Sequence, residues 1–343
     1  MKQITLGSTG ITVPQNGFGA LPIQRVGKEE AVRLLRLARE GGMRFFDTAR
    51  SYTDSEEKLG LAFGGSWDGL TLASKTQAKT PNDFRRDLET SLRLLKTDCI
   101  DIYQFHMVSQ CYRPNDGTGM YECMLEAKAQ GKIRHIGITT HKIDVAEEIV
   151  ECGLYETLQY PFSYLSSTRE QALVKNCAAH NMGFIAMKAL AGGLIHHAAA
   201  AFAFIAQFEN AVPIWGIQRE KELNEWLAFF REPAELTEEL RAFIEKERAE
   251  LSGDFCRSCG YCMETCPSKI LIRQCARMSL MLRRAPSAEY LTPQMQAEME
   301  KIKTCVHCGV CKTKCPYELD IPTLLEKNYE DYKRVLAGTE RVE

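Results

Sequence analysis

The chain has 343 residues, 45% hydrophobic and 26% charged, with a formal net charge of −2 at pH 7. This is the composition of a folded globular protein, and the charge balance excludes the basic face that a nucleic-acid partner requires. The opening MKQITLGSTG lacks the apolar segment of a secretory signal. The most apolar stretch, AAAAFAFIA from Ala198, is too short to span a bilayer and reads as a buried helix. The expectation is a cytoplasmic protein with no membrane and no nucleic-acid partner.

In chain order, ITLGSTGITV from Ile4 places two β-branched runs around a Gly-Ser-Thr-Gly turn and predicts an N-terminal hairpin. Short apolar runs follow at NGFG (16–19), MRFFDT (43–48), LTLAS (70–74) and CIDIYQF (99–105). They continue at IRHIGI (133–138), TLQY (157–160), GFIAMK (183–188) and VPIWGI (212–217). Each leads into a helix-like segment; in KEEAVRLLRLARE, Ala31, Leu34, Leu35 and Ala38 share one face at helical spacing. Eight such units predict an α/β fold, a closed (β/α)8 barrel. An open doubly wound sheet is the competitor, but no GxGxxG follows the first strand.

Chemistry in such a barrel gathers where strands end at their C-termini. Asp47 ends the second strand, Lys75 the third and His106 the fourth, and Tyr52 lies just beyond Asp47. Singly, each has a structural explanation: a helix cap, a surface charge, a satisfied core histidine, a rim aromatic. Four compatible residue types at successive strand ends are much harder to dismiss together. FFDTARSYTDSEEKLG closely resembles the signature of the aldo/keto reductase family, and LASKT and YQFH resemble its lysine and histidine motifs. LGSTGITVPQNGFG is similar to its N-terminal hairpin and first strand, and the likeness runs from Leu6 to about Trp226.

The resemblance implies an NADPH- or NADH-dependent oxidoreductase acting on a small carbonyl or alcohol, with Asp47, Tyr52, Lys75 and His106 as catalytic tetrad. The chemistry agrees with those roles. A carbonyl takes up hydride more readily when an acid protonates its oxygen. A tyrosine of ordinary pKa, about 10, is a weak donor near neutrality, and an adjacent ammonium is expected to lower it. Lys75 would supply that charge, Asp47 would hold Lys75, and His106 would orient the carbonyl. The same resemblance assigns Gln159 to the nicotinamide amide, and Gly216, Gln218 and Arg219 in GIQREKELNEW to the adenosine-phosphate loop. Thr139 and Thr140 replace the family's usual Ser-Asn, Met187 its stacking aromatic, and Trp226 a common adenine-binding asparagine. Lys188 and His141 lie at the presumed mouth, and surface or packing functions suffice for both.

Of fourteen cysteines, five (Cys99, Cys111, Cys123, Cys152, Cys177) are scattered over the first 250 residues and nine lie between Cys256 and Cys315. That shift divides the chain into a barrel (1–235), a helical linker (236–251), a cluster domain (252–335) and a C-terminal tail (336–343). Cys256, Cys259, Cys262 and Cys266 precede Pro267, and Cys305, Cys308, Cys311 and Cys315 precede Pro316. This repeated C-x2-C-x2-C-x3-C-P spacing is that of 4Fe–4S ligation, and two clusters are expected. Zinc sites more often pair two close ligands with two distant ones. Because the fourth cysteine typically serves the other cluster, one set is Cys256, Cys259, Cys262 and Cys315, and the other is Cys305, Cys308, Cys311 and Cys266. IRQCARMSLMLRR and PQMQAEMEKIK between the ladders read as helices, and the region resembles helical dicluster ferredoxins. Cys275 reads as a helix residue packed inward.

Together the two parts resemble the iron–sulfur branch of the aldo/keto reductases. The leading expectation is carbonyl–alcohol chemistry with clusters coupled to electron transfer, and a redox protein as a further partner. Two alternatives stand beside it. One is a reductase fed through the clusters without nicotinamide; the other is a redox-sensing or binding module with structural clusters.

Overall fold

The computed structural model describes residues 1–251, 255–263, 265–284 and 290–340. The chain forms two compact units: Met1–Ala189 with Ala198–Thr237, and Leu190–His197 with Glu238–Glu343.

In the first unit, β1 (Gln3–Thr5) and β2 (Thr12–Pro14) form an antiparallel hairpin in which Ile4 is paired with Val13. Ile4, Leu6 and Val13 are buried against Phe45, Ile102 and Val212 of the barrel strands. Eight parallel strands then close on themselves: β3 (Gly17–Gly19), β4 (Phe45–Asp47), β5 (Thr71–Thr76), β6 (Ile100–Phe105), β7 (Ile133–Thr139), β8 (Thr157–Pro161), β9 (Gly183–Met187) and β10 (Ala211–Gly216). β10 pairs with β3 to shut the cylinder. These strands read as almost continuous apolar runs because parallel strands covered by helices are buried on both faces.

The covering helices are α1 (Lys28–Glu40), α2 (Ser55–Phe63), α3 (Pro81–Leu95), α4 (Met120–Ala129), α5 (Ile143–Cys152), α6 (Thr168–Ala179), α7 (Ala198–Ile205) and α8 (Glu220–Arg231). In α1 the inward residues are Ala31, Leu34, Leu35 and Ala38, the face its spacing predicts. The apolar stretch from Ala198 is α7, buried at all but one of its residues. Gly60, the glycine of SEEKLG, has a packing reason: a Cβ there would stand 2.0 Å from the Leu94 carbonyl oxygen.

The second unit is helical, with α9 (Glu238–Leu251), α10 (Ile272–Cys275), α11 (Met278–Arg284), α12 (Pro293–Glu300), α13 (Val310–Thr313) and α14 (Ile321–Leu336). Ile270 and Ile272 after the first ladder, and Leu319 and Ile321 after the second, all enter one core with Leu325 and Tyr332. The helix expected over IRQCARMSLMLRR is interrupted between α10 and α11. There Arg277 turns inward, and its Nη2 donates to the carbonyls of Ala191 (3.3 Å) and Gly192 (2.7 Å). PQMQAEMEKIK is helical as α12 and then tightens into a 3-10 turn over Lys301–Thr304. Among the described residues no helix is long and apolar enough to cross a membrane.

Candidate functional site

Tyr52 stands on the loop joining β4 to α2, and that loop is tied down along its length. Thr48 N–H donates to Ala73 O and Arg50 N–H to Lys75 O, both at 2.9 Å, which hold the loop start against β5. The Thr48 and Ser55 hydroxyls meet at 2.8 Å, and Ser55 Oγ donates to Ala20 O. The buried Glu56 carboxylate receives Arg50 on one oxygen and Ser74 Oγ, at 2.7 Å, on the other. These bonds explain why SE follows the tyrosine: Ser55 and Glu56 fasten the segment that presents it.

Behind Tyr52 lies a buried ion pair. Lys75 Nζ donates to Asp47 Oδ2 and to Thr48 O, both at 2.6 Å, and each side chain is at most 2% exposed. Lys75 Nζ is 5.2 Å from the centre of the Tyr52 ring. The His106 and Tyr52 rings stand edge-to-face at 5.7 Å, and Ser51 Oγ lies 3.3 Å from His106 Nδ1. Three strand ends and one loop therefore bring Asp47, Lys75, His106 and Tyr52 together. Among the described residues the Tyr52 hydroxyl takes part in none of the hydrogen bonds found.

Burial pushes the Asp47 carboxyl up and the Lys75 ammonium down, and each charge opposes the push on the other. Burial also keeps His106 well below the ordinary histidine range, with Lys75 adding to the effect, so the imidazole is neutral near pH 7. Tyr52 departs from expectation. Burial, then the Asp47 charge, pushes its phenol up rather than down. The main reason is removal of the ring from water, which disfavours the phenolate, and the Asp47 carboxylate adds to it.

Gln104 is a member the sequence reading passed over. It is fully buried in β6, its Nε2 donates to Gln159 Oε1 at 2.9 Å, and it reaches Asp47 Oδ1 at 3.5 Å. Register sets this up, since Lys75 pairs with Gln104 across β5 and β6, and Thr139 with Gln159 across β7 and β8. A lone amide inside the apolar run CIDIYQF was the available signal, because a buried amide needs partners.

The expected nucleotide contacts divide. Gln159 is buried in the Asp47 network, and Met187 is half-buried at the end of β9. Thr139 Oγ1 accepts from Met107 N–H (2.8 Å), while the Thr140 hydroxyl donates to Val108 O and accepts from Lys142 N–H. Both threonines anchor the segment that follows His106. Trp226 is buried, stacked on Trp215 at 3.8 Å with planes 5° apart, and belongs to the core. Gly216 and Arg219 are exposed before α8. There the Glu222 carboxylate accepts the N–H groups of Gln218 (2.9 Å) and Arg219 (3.1 Å). Those amides are the donors a helix N-terminus would offer a phosphate, and Glu222 holds both.

In the second unit, Cys266, Cys305, Cys308 and Cys311 line one pocket, walled on its apolar side by Ile270 and Leu325. Burial pushes the Cys262 thiol up to about 12, and Cys256, Cys259 and Cys315 are the nearby thiols that add to the push. Around Cys311, Cys305 and Cys308 act in the same way. The grouping follows the crossed pattern: Cys315 with the first ladder and Cys266 with the second. Among the described residues no three metal-binding side chains converge on a single ion position. Cys275 lies outside both sets, buried in α10, with its Sγ donating to Glu298 O at 3.8 Å.

Comparisons with known proteins agree with this division. The aldo/keto reductase family model matches residues 15–201, and a 4Fe-4S dicluster domain model matches residues 255–320. Aldo-keto reductase YhdN of Bacillus subtilis (strain 168) is 28% identical over 214 residues, 57% of this chain and 64% of that protein. L-galactose dehydrogenase of Arabidopsis thaliana is 27% identical over 209 residues, 55% of this chain and 66% of that protein. Both matches span just under two thirds of the relative's length. An aldo-keto reductase from Bacillus halodurans superposes with TM-score 0.61 at 21% identity, covering 72% of this chain and 96% of that one. One from Klebsiella pneumoniae, solved with NADPH, gives 0.60 at 23%, covering 71% and 94%. At these identities the two structures share the fold. With an iron–sulfur domain following its barrel, the chain belongs to the aldo/keto reductase family.

Proposed function

We propose that the barrel interconverts a small carbonyl and its alcohol with NADPH or NADH, and that two 4Fe–4S clusters in the second unit exchange electrons with that cycle. The observation that carries the reading is the convergence of Tyr52, His106 and the buried Lys75–Asp47 pair at the strand ends. A bound reduced nicotinamide supplies hydride. The residues of this chain bind, orient and protonate. The Tyr52 hydroxyl holds the proton that the carbonyl oxygen takes up, and Lys75 is the cation nearest the phenolate that remains. In the tautomer whose Nδ1 accepts from the Ser51 hydroxyl, 3.3 Å away, the His106 proton is on Nε2 and is free to donate a hydrogen bond to the same oxygen. Gln159 and Met187 would hold the nicotinamide.

The raised Tyr52 pKa has a consequence. The phenol is fully protonated before reaction, and transfer becomes favourable only as the carbonyl oxygen gains charge. For the clusters, Cys256, Cys259, Cys262 and Cys315 would hold one, and Cys266, Cys305, Cys308 and Cys311 the other; the thiolates would ligate iron, and each bound cluster would supply one-electron transfer.

A second reading has an observation in its favour. Glu222 already takes the amides of the phosphate loop, which suits a barrel reduced through its clusters by a redox protein. An anaerobic titration separates the two. Under the first reading, NADPH or NADH is consumed and cluster absorbance bleaches in the same titration. Under the second, neither nucleotide reacts, while dithionite-reduced clusters reoxidise when an aldehyde is added. Inert nucleotides together with clusters indifferent to aldehyde would defeat both.

A further inference from the structure

Two cysteines of the barrel unit that no ladder includes lie against each other. Cys111 Sγ donates to Cys152 Sγ at 3.6 Å. Cys111 belongs to the segment between β6 and α4 that begins at His106, and Cys152 is the last residue of α5. Cys111 is buried and Cys152 half-buried, so a reagent reaches Cys152 first. The helix C-terminus disfavours a thiolate, but the surroundings offset this. The Cys111 S–H first, then the Leu154 N–H and the Arg113 guanidinium, lower Cys152 below the ordinary thiol range against the push of burial, while the same contact raises Cys111. The other barrel thiols move the opposite way: burial pushes Cys177 up to about 12 and also raises Cys99 and Cys123. When protonated, Cys152 donates to Ile149 O at 3.1 Å.

A half-exposed thiol of low pKa with a second thiol in contact is the arrangement of an attacking and a resolving cysteine. A disulfide needs the sulfurs to close from 3.6 Å to about 2.05 Å. We propose that Cys111 and Cys152 form a thiol–disulfide exchange site that reacts with low-molecular-weight disulfides, Cys152 attacking and Cys111 resolving. In the first step the Cys152 thiolate attacks one sulfur of the small disulfide. Its S–S bond breaks, and the departing thiolate takes a proton from water. In the second step Cys111 gives its proton to water and its sulfur attacks Cys152 Sγ. The remaining half leaves as a thiolate and is protonated. Two cysteine thiols are oxidised and one small disulfide is reduced to two thiols. The new bond ties the segment after His106 to the end of α5.

The test uses the anaerobic holoprotein in glutathione buffers of graded redox ratio, with rapid alkylation and peptide mass spectrometry. The expected result is a Cys111–Cys152 cross-linked peptide, with loss of two alkylatable thiols in a single two-electron transition. Cys111→Ser is expected to stop at a glutathione adduct on Cys152. Cys152→Ser is expected to give neither adduct nor cross-link. Cluster absorbance and circular dichroism serve as checks that each variant is intact. Both thiols staying alkylatable in the most oxidising buffer would overturn the proposal, as would an unmodified Cys152 in Cys111→Ser.

Discussion

Lys75 and Asp47 form a 2.6 Å ion pair in which neither side chain exceeds 2% exposure. A pair so fully removed from water is costly to separate. Replacing one partner leaves the other charge buried alone and destabilises by about 3–5 kcal/mol, whereas an apolar pair of similar volume is often tolerated. Asp47→Asn is therefore expected to lower the denaturation midpoint markedly. The double variant Asp47→Leu, Lys75→Met is expected to recover much of the loss but no carbonyl reduction. Equal stability of Asp47→Asn and the parent in a denaturant titration would mean the pair is not charged.

Glu222 competes for the amides of Gln218 and Arg219. Glu222→Ala is expected to bind NADPH about tenfold more tightly, a gain near 1.4 kcal/mol, at a capping cost of about 1 kcal/mol in stability. Arg219→Met is expected to weaken NADPH more than NADH, because a guanidinium matches a 2′-phosphate. Fluorescence titration of both nucleotides reads the two effects. Affinities unchanged in both variants would put the phosphates elsewhere.

Cys266 lies with the thiols of the other ladder. Cys266→Ser is expected to damage the cluster held by Cys305, Cys308 and Cys311, and to take iron from about eight towards about four per chain. Cysteine-to-serine changes in each ladder, read by iron content and low-temperature electron paramagnetic resonance, identify the cluster lost. Loss of the Cys256–Cys262 cluster instead would mean that ligation is not crossed.

Glu156 is tuned for acid sensitivity. Burial favours its neutral form, but His135, the Ile136 N–H and Lys128 outweigh that, and the carboxyl falls from 4.5 to about 2. A carboxyl lowered in the folded state contributes stability above its unfolded pKa and loses it as pH falls through the folded one. The full shift corresponds to about 3 kcal/mol and, discounted for solvent screening of a half-solvated carboxylate, to on the order of 1–2 kcal/mol; it is present above pH 4.5 and lost between there and about 2. Glu156→Gln is expected to be less stable at pH 7 and to lose the steep part of its acid unfolding. Parallel stability–pH curves for variant and parent would remove Glu156 from that role.

The barrel was legible because its strands are apolar runs bounded by turns, and each observed strand falls within a residue or two of its run. That Asp47, Lys75 and His106 stand at strand ends, with Tyr52 just beyond Asp47, was legible from the order of the runs, while their reading as a tetrad came from the family resemblance. What escaped depends on contacts made across the fold. Gln104 gains meaning only when register sets it beside Lys75 and turns it to Gln159. Trp226 stood where the family has an adenine-binding asparagine, and only the fold shows it stacked on Trp215 in the core. The Glu222 carboxylate turns back on its own helix start, and no spacing rule distinguishes that from an open phosphate loop. The direction of the Tyr52 shift was missed for a related reason. The upward push comes first from burial of the ring, an environment that only the folded barrel fixes, and then from the Asp47 charge.

The most direct measurement of the central claim is the single-turnover reduction of a panel of small aldehydes by NADPH in Tyr52→Phe, with nucleotide affinity measured separately. The hydroxyl removed is the proposed proton donor and has no proposed role in holding the cofactor. The account predicts a rate lower by about 10²–10⁴-fold with nucleotide affinity nearly unchanged. A variant that reduces every aldehyde as fast as the parent would contradict it.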